Sequence, residues 1–215
     1  MIGATGPAGR AVAVQFAALG EQVVVGSRSQ ERADEAVAEL RERWPGRGLD
    51  LVAGLNAAAC EADLVVLATP WEGVPATLAE LAPALRGRLV VSMANAMTRW
   101  GRYAVPVVPP TGSVTAAVAL ALPESRVAGA FHNLPAGAWA DLEHPLDADV
   151  LVVAERRADA REVVAIVDRL PGLRGVDAGN LANALAVEAI TATLVGISQR
   201  YKGHAFVRIG GIERG

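Results

Sequence analysis

Apolar positions along this chain follow two alternating periods. Val12, Phe16 and Leu19 fall at helical spacing behind Pro7, a residue tolerated in a first helical turn, and Gly20 closes the run. Residues 22–25 then predict a short buried strand built on consecutive valines. Gln30 to Arg43 is rich in Ala, Glu and Arg with Ala33, Val37 and Leu40 on one face, the pattern of an exposed crossover helix, and Pro45-Gly46 ends it. Further strands are predicted over 49–52, 63–68 and 89–92, with a short helix over 55–60 and a longer one over 74–85. Strand and helix in regular alternation predict a mostly parallel sheet with helices on both faces.

Beyond residue 98 the style changes. Residues 99–110 read as an irregular connection and 112–122 as an alanine-rich helix stopped by Pro123. Strands over 126–131, 150–154 and 173–176 flank a helix over 158–170, and a long, mostly apolar helix runs from Leu181 to about Arg200. A helix apolar on more than one face must be buried on more than one side, which predicts a second subunit and a homodimer. The expected fold is therefore α/β: a Rossmann-like, mostly parallel sheet with a long C-terminal helix. Residues 1–98 form the nucleotide-binding core, and 99–215 an extension that does not fold separately.

Composition removes several functions. With 20 Lys and Arg against 23 Asp and Glu, the net charge is −3, and no basic tract suggests nucleic acid. The lone Cys60 excludes an intrachain disulfide, and His132, His144 and His204 are too scattered for a metal-ligand pattern. Two uncharged stretches, 103–122 and 181–198, contain adjacent prolines or Glu188 and suit buried helices better than a bilayer span. A glycine turn occupies the place of a leader peptide, so a cytoplasmic protein without membrane contact is expected.

The chemistry is concentrated at strand ends. Gly3-Ala4-Thr5-Gly6-Pro7-Ala8-Gly9 leads directly into a helix, where backbone N–H groups and the helix dipole favour a pyrophosphate. The dinucleotide fingerprint falls on Ala4, Gly6 and Gly9, with Gly3 just before it. Only Met1 and Ile2 precede the glycines, fewer than the roughly five residues of a central strand, so a somewhat longer natural N-terminus is expected. The next strand ends in Gly26-Ser27-Arg28-Ser29 with no acid before Glu31; a cation in place of a carboxylate predicts NADP over NAD. Thr69-Pro70-Trp71 and the uncharged Met93-Ala94-Asn95 end two more strands, where ligands of open α/β sheets sit. His132-Asn133-Leu134-Pro135 brings polar groups to a further strand end.

These motifs together resemble the NADPH-dependent reductases of the 8-hydroxy-5-deazaflavin coenzyme F-420. The resemblance runs from Gly3–Gly9, Val23–Ser29 and Thr69–Trp71 through Val91–Asn95, Ala130–Ala136 and Asp177-Ala178-Gly179 to Ile197–Phe206. It implies reversible hydride transfer between NADP(H) and the deazaflavin coenzyme. By the same resemblance Gly3 and Thr5 to Gly9 (Thr5, Gly6, Pro7, Ala8, Gly9) hold the pyrophosphate, and Ser27 and Arg28 the 2′-phosphate. Thr69, Pro70, Trp71, Met93, Ala94, Asn95, His132, Asn133, Leu134 and Pro135 then line the pocket where the rings stack. No metal and no side chain acting beyond positioning are required, and His132 is the candidate for orienting a ring. Leu185 and Ala189 stand where some relatives carry an arginine and a serine, whereas Glu188 and Thr191 remain. Two other readings stay open: an NADP-dependent reductase of a small imine or keto acid with His132 as general acid, and a non-catalytic NADP(H)-sensing regulator.

Overall fold

The computed structural model describes residues 1–212. The helices are α1 (Pro7–Ala18), α2 (Gln30–Arg43), α3 (Asn56–Ala59), α4 (Val74–Leu81), α5 (Val114–Ala121), α6 (Ala136–Trp139), α7 (Arg157–Asp168) and α8 (Ala184–Tyr201). The strands are β1 (Val23–Ser27), β2 (Leu51–Leu55), β3 (Leu64–Leu67), β4 (Leu89–Ser92), β5 (Met97–Trp100), β6 (Tyr103–Pro106), β7 (Arg126–Gly129), β8 (Ala148–Ala154) and β9 (Leu173–Asp177).

The short first segment acts as a central strand in spite of its length. Gly26 donates to the Met1 carbonyl and Ala4 to the Gly26 carbonyl on one side, while Ile2 donates to Val66 and Ala68 to Ile2 on the other, all at 2.9 Å. Residues 1–4 thereby join the parallel pair β2-β1 to the sheet β3-β4-β7-β8-β9. From this segment the chain first moves outward to β1 and β2, then returns to place β3 on the opposite side. That reversal makes the switch point at which an open α/β sheet leaves a crevice.

Burial explains the unbroken apolar strands. All four residues of β4 are buried, Leu89 and Val91 packing with Val12, Phe16 and Val163 on one face and Val90 with Val74, Leu78 and Val118 on the other. Each such valine or leucine contributes about 1.5–3 kcal/mol relative to exposure, and a strand covered on both faces shows no polar alternation.

Several boundaries and one element depart from expectation. Residues 99–110 hold the antiparallel hairpin β5–β6, closed at Gly101 (φ 60°) and pairing Trp100 with Tyr103. Its side chains are mostly exposed, so no apolar periodicity marks it. β8 runs antiparallel to β7, so the sheet is parallel only in part. The helix expected over 74–85 stops at Leu81 and continues as a 3-10 turn over Ala82–Leu85, because Pro83 has no N–H to continue the ladder. The strand expected over 49–52 lies at Leu51–Leu55, and α6 had no sequence signal. Leu181–Tyr201 is long and apolar enough to cross a membrane, but here it packs on α5 and β6 with Glu188 turned inward.

Candidate functional site

The glycine turn and Thr69 face each other across the crevice. Gly3 adopts φ +67°, the left-handed conformation a side chain rarely takes, and a Cβ on it would lie 2.6 Å from Thr69 Oγ1. Gly3 is therefore the tight-turn glycine, one position ahead of the Ala4 slot in the fingerprint. A Cβ at Gly9 would sit 2.6 Å from Ala4 Cα and 2.9 Å from its carbonyl, so α1 approaches the first strand only because residue 9 has no side chain. Nothing lies within 4 Å of the corresponding point at Gly6, which leaves the N-terminus of α1 open. Asn56, buried at the start of α3, accepts from Gly3 N at 3.0 Å, and Arg10 Nε donates to Thr5 O at 2.8 Å while pairing with Glu39. These contacts fix the turn from below and behind.

The crevice opens into a cleft of about 1180 Å³. That exceeds the few hundred to ~1,000 Å³ typical of a single small-ligand pocket. Of the residues expected at the site, Gly3, Thr5, Gly6, Pro7, Ala8, Gly9, Ser27, Arg28, Thr69, Pro70, Trp71, Met93, Ala94 and Asn95 all line it. At one end Arg28 and Arg32 project beside the N-terminus of α2, which Ser29 caps by accepting from Arg32 N; Ser27 Oγ accepts from Ser29 N at 3.2 Å. Two exposed guanidinium groups at the positive end of a helix, with small hydroxyls, are a seat for a dianionic phosphate. Elsewhere Glu72 and Glu80 flank the nucleotide wall, and Met93, Ala94, Asn95 and Met97 make a wall without charge. Trp71 is half-buried, and its indole N–H donates to Met97 O at 3.3 Å, so it ties this wall to the hairpin. Thr69 lines the cleft, but its Oγ1 is buried against Gly3 and has no hydrogen-bond partner among the described residues.

His132, Asn133, Leu134 and Pro135 do not line the cleft. They stand behind Asn95 and hold it. Asn95 Nδ2 donates to His132 O at 3.0 Å, Thr191 Oγ1 lies 3.0 Å from the same carbonyl and 3.3 Å from Asn95 Oδ1, and Asn133 Nδ2 donates to Val187 O and Thr191 Oγ1. The turn is strained: Phe131 has φ 65°, at a cost of about 1–3 kcal/mol, and stacking on Trp139 with a ring separation of 5.4 Å holds it there. The His132 ring fills the notch above Gly129, where a Cβ would lie 2.9 Å from its Cε1. Its two nitrogens have no partner, and burial lowers its pKa to about 3, so the imidazole is neutral. Ser92 Oγ, on the neighbouring strand in register with Gly129, is likewise buried without a partner.

Sequence reasoning missed Asn56, Arg32 and Arg10. Arg32 lies one turn beyond Arg28, so helical spacing could have found it; Asn56 is distant in the chain and carries no local signal. Among the described residues no His, Cys, Asp or Glu cluster could hold a metal.

A glycine turn at a switch point, feeding a helix N-terminus and ending in a cationic tip, defines a dinucleotide-binding protein of the Rossmann class. Residues 1–96 match the family model described as NADP oxidoreductase, coenzyme F420-dependent. The F420-dependent NADP reductase of Methanocaldococcus jannaschii is 33% identical over 99% of this chain and 98% of its own length. The enzyme of that name from Methanothermobacter thermautotrophicus is 34% identical over 99% and 92%. A crystal structure from Arthrobacter, described as a candidate F420-dependent NADP-reductase, superposes with a TM-score of 0.77 over 92% of each chain at 24% identity, a likeness of fold. The chain belongs to the family of F420-dependent NADP reductases.

Proposed function

We propose that this protein transfers a hydride between NADP(H) and the 8-hydroxy-5-deazaflavin coenzyme F-420, both bound in the one cleft. The observation that carries this reading is continuity: a phosphate seat at Arg28 and Arg32, the open α1 N-terminus and an uncharged wall at Met93–Asn95 share one cleft. When bound, the two cofactors supply the redox chemistry, a hydride passing between ring carbons. The protein's own residues bind and orient. Ser27, Arg28 and Arg32 would take the 2′-phosphate and Thr5 to Gly9 the pyrophosphate, with Thr69 lining the cleft between them and the uncharged wall. Met93, Ala94 and Asn95 present an uncharged face against which the reacting rings would be held and oriented. The turn His132–Pro135 acts on that face from behind, through Asn95.

His132 argues against an imine or keto acid reductase that needs a general acid. Both its nitrogens are enclosed by protein, and a group with a pKa of about 3 holds no proton to give near neutrality. The full-length likeness to F420-dependent NADP reductases argues against a pure NADP(H) sensor. The working unit is a homodimer formed through α8, whose outer stripe Ala186, Ile190, Thr193, Ile197 and Tyr201 is exposed and uncharged. The protein acts in the cytoplasm, as an undivided α/β unit in which residues 1–98 line the cleft and the later part of the chain supports its uncharged wall from behind, through Asn95. Mixing the protein with NADPH and oxidised deazaflavin coenzyme should bleach the deazaflavin absorbance. Absence of turnover from mild acid to mild base would reject the assignment, and a monomer in sedimentation equilibrium would reject the dimer.

A further inference from the structure

Glu188 is a buried carboxylate that the cofactor-binding residues do not explain. It is 3% exposed in the second turn of α8, and no Lys or Arg pairs with it among the described residues. Its oxygens instead receive Val114 N and Thr115 N, each at 2.9 Å, and Thr115 Oγ1 at 2.8 Å. Those are the first two N–H groups of α5. The next two are satisfied locally, Ala116 N by Ser113 Oγ at 3.0 Å and Ala117 N by Ser113 O at 3.1 Å. The first three N–H groups of this helix, which have no acceptor within it, are thus shared between its own cap and a carboxylate from another helix 73 or more residues away, and Ala117 begins the regular ladder. The anion also lies at the positive end of the α5 dipole, the favourable end for it. Burial pushes the Glu188 carboxyl up in pKa while the three donors oppose that shift.

Both ends of this link reach the turn behind the uncharged wall. On α8, Val187 and Thr191 stand before and one turn after Glu188, and they are the groups that hold Asn133, the His132 carbonyl and Asn95. On α5, Thr115 Oγ1 lies 2.8 Å from the notional Cβ of Gly129, the point that His132 Cε1 approaches to 2.9 Å, so Thr115 and the imidazole enclose one notch. The carboxylate therefore fixes the rotation of α8 and the floor beneath His132 at once.

We propose that Glu188 is a positioning residue for the deazaflavin half of the site: by locking α8 to the N-terminus of α5, it sets the His132–Asn133 turn and, through it, Asn95. The proposal rests on the reading of the cleft as a two-coenzyme site. It predicts a split between the two coenzymes, because nothing in the glycine turn or the Arg28 seat touches Glu188.

The test compares Glu188→Gln and Glu188→Ala with Ser113→Ala, which removes a cap from the same helix end without cutting the link to α8. Glu188→Gln retains the side-chain volume, so it remains informative if Glu188→Ala does not fold. The Glu188 variants should lower kcat/KM for the deazaflavin coenzyme on the order of tenfold or more, with the Kd for NADPH unchanged within about twofold; Ser113→Ala should lower Tm while leaving that kcat/KM near wild type. Amide hydrogen exchange over residues 131–134 should accelerate in the Glu188 variants and not in Ser113→Ala. The proposal is overturned if all three variants lose turnover in proportion to their stability, if NADPH affinity falls as far as deazaflavin turnover, or if exchange at 131–134 is unaltered. Exchange is read without substrate, so a wild-type protein inactive on the deazaflavin would reject the assigned reaction while still deciding the role of Glu188.

Discussion

The two ends of the cleft are built on different principles. At the nucleotide end, Gly3 to Gly9 and Ser27 to Arg32 present backbone N–H groups, helix termini and exposed cations, all within the first strand-helix-strand unit and the start of α2 that follows it. At the other end, Asn95 is held through a carbonyl 37 residues away and a hydroxyl 96 residues away, with Asn133 tied to α8 across 54 and 58 residues. A site made of backbone is carried by a contiguous motif. A site made of side chains from three separate elements depends on tertiary packing.

The contrast makes its largest prediction at Gly9. A valine there would press its Cβ to 2.6 Å from Ala4 Cα, a contact no rotamer relieves because the clash is with backbone. Gly9→Val should destabilise the fold by roughly 3 kcal/mol or more and abolish NADPH binding by calorimetry. A variant that binds NADPH normally would show that α1 can move away from the first strand, and the nucleotide end would lose its claim to be rigid. Next in size is Arg28→Glu. Exchanging a charge-assisted donor worth about 1.5–3 kcal/mol for a carboxylate should lower NADPH affinity on the order of tenfold to a hundredfold and shift preference toward NADH. Turnover of the deazaflavin at saturating nucleotide should change little. If the NADPH/NADH ratio of kcat/KM stays put, the phosphate is bound elsewhere.

The same division decides what was legible in the sequence. The α2 helix over Gln30–Arg43 was foreseen to the residue, because an amphipathic stripe and a serine cap are local. The glycine turn, the serine-arginine tip and the strand ends at Thr69 and Met93 all came together as expected, since topology brings every parallel strand end to one edge. The β5–β6 hairpin escaped notice: it has neither an apolar alternation nor an Asn-Gly or Asp-Gly turn, only Gly101-Arg102. His132 was expected in the cleft wall. Its burial depends on Gly129 having no side chain and on Phe131 taking a left-handed conformation, neither of which a single sequence announces. Asn56 was missed for a related reason: its use is to accept from Gly3, a contact spanning 53 residues.

A pH titration sharpens the comparison from the second end. His132 titrates near 6.5 in an unfolded chain and about 3 in the fold, where burial disfavours the imidazolium. Between those values the unfolded chain binds a proton that the native state does not. Its contribution is thus fully present above about pH 6.5 and is lost as the pH falls toward 3, at on the order of 1 kcal/mol per pH unit. Denaturant midpoints measured between pH 7 and pH 5 should show this slope in the wild type and a flatter one in His132→Leu. An equal slope in both would mean that another group, not the imidazole behind Asn95, sets the acid limit.

The smallest effect belongs to Thr191→Val, a substitution of similar shape that deletes one hydroxyl. That hydroxyl lies 3.0 Å from His132 O and 2.9 Å from Asn133 Nδ2, but each of these two keeps a second contact: His132 O still receives Asn95 Nδ2, and Asn133 still reaches Val187 O; Asn95, whose Oδ1 is 3.3 Å from the hydroxyl, keeps its own bond to His132. With neither partner left wholly unsatisfied, the loss should be about 1 kcal/mol in stability. Deazaflavin KM should rise severalfold and NADPH Kd should not move. Combined with Glu188→Gln, the effect should be less than additive, because both lesions release the same segment of α8 and a double-mutant cycle counts that release once. Strict additivity would mean that the Thr191 hydroxyl acts independently of the Glu188 link and that α8 does not move as a unit.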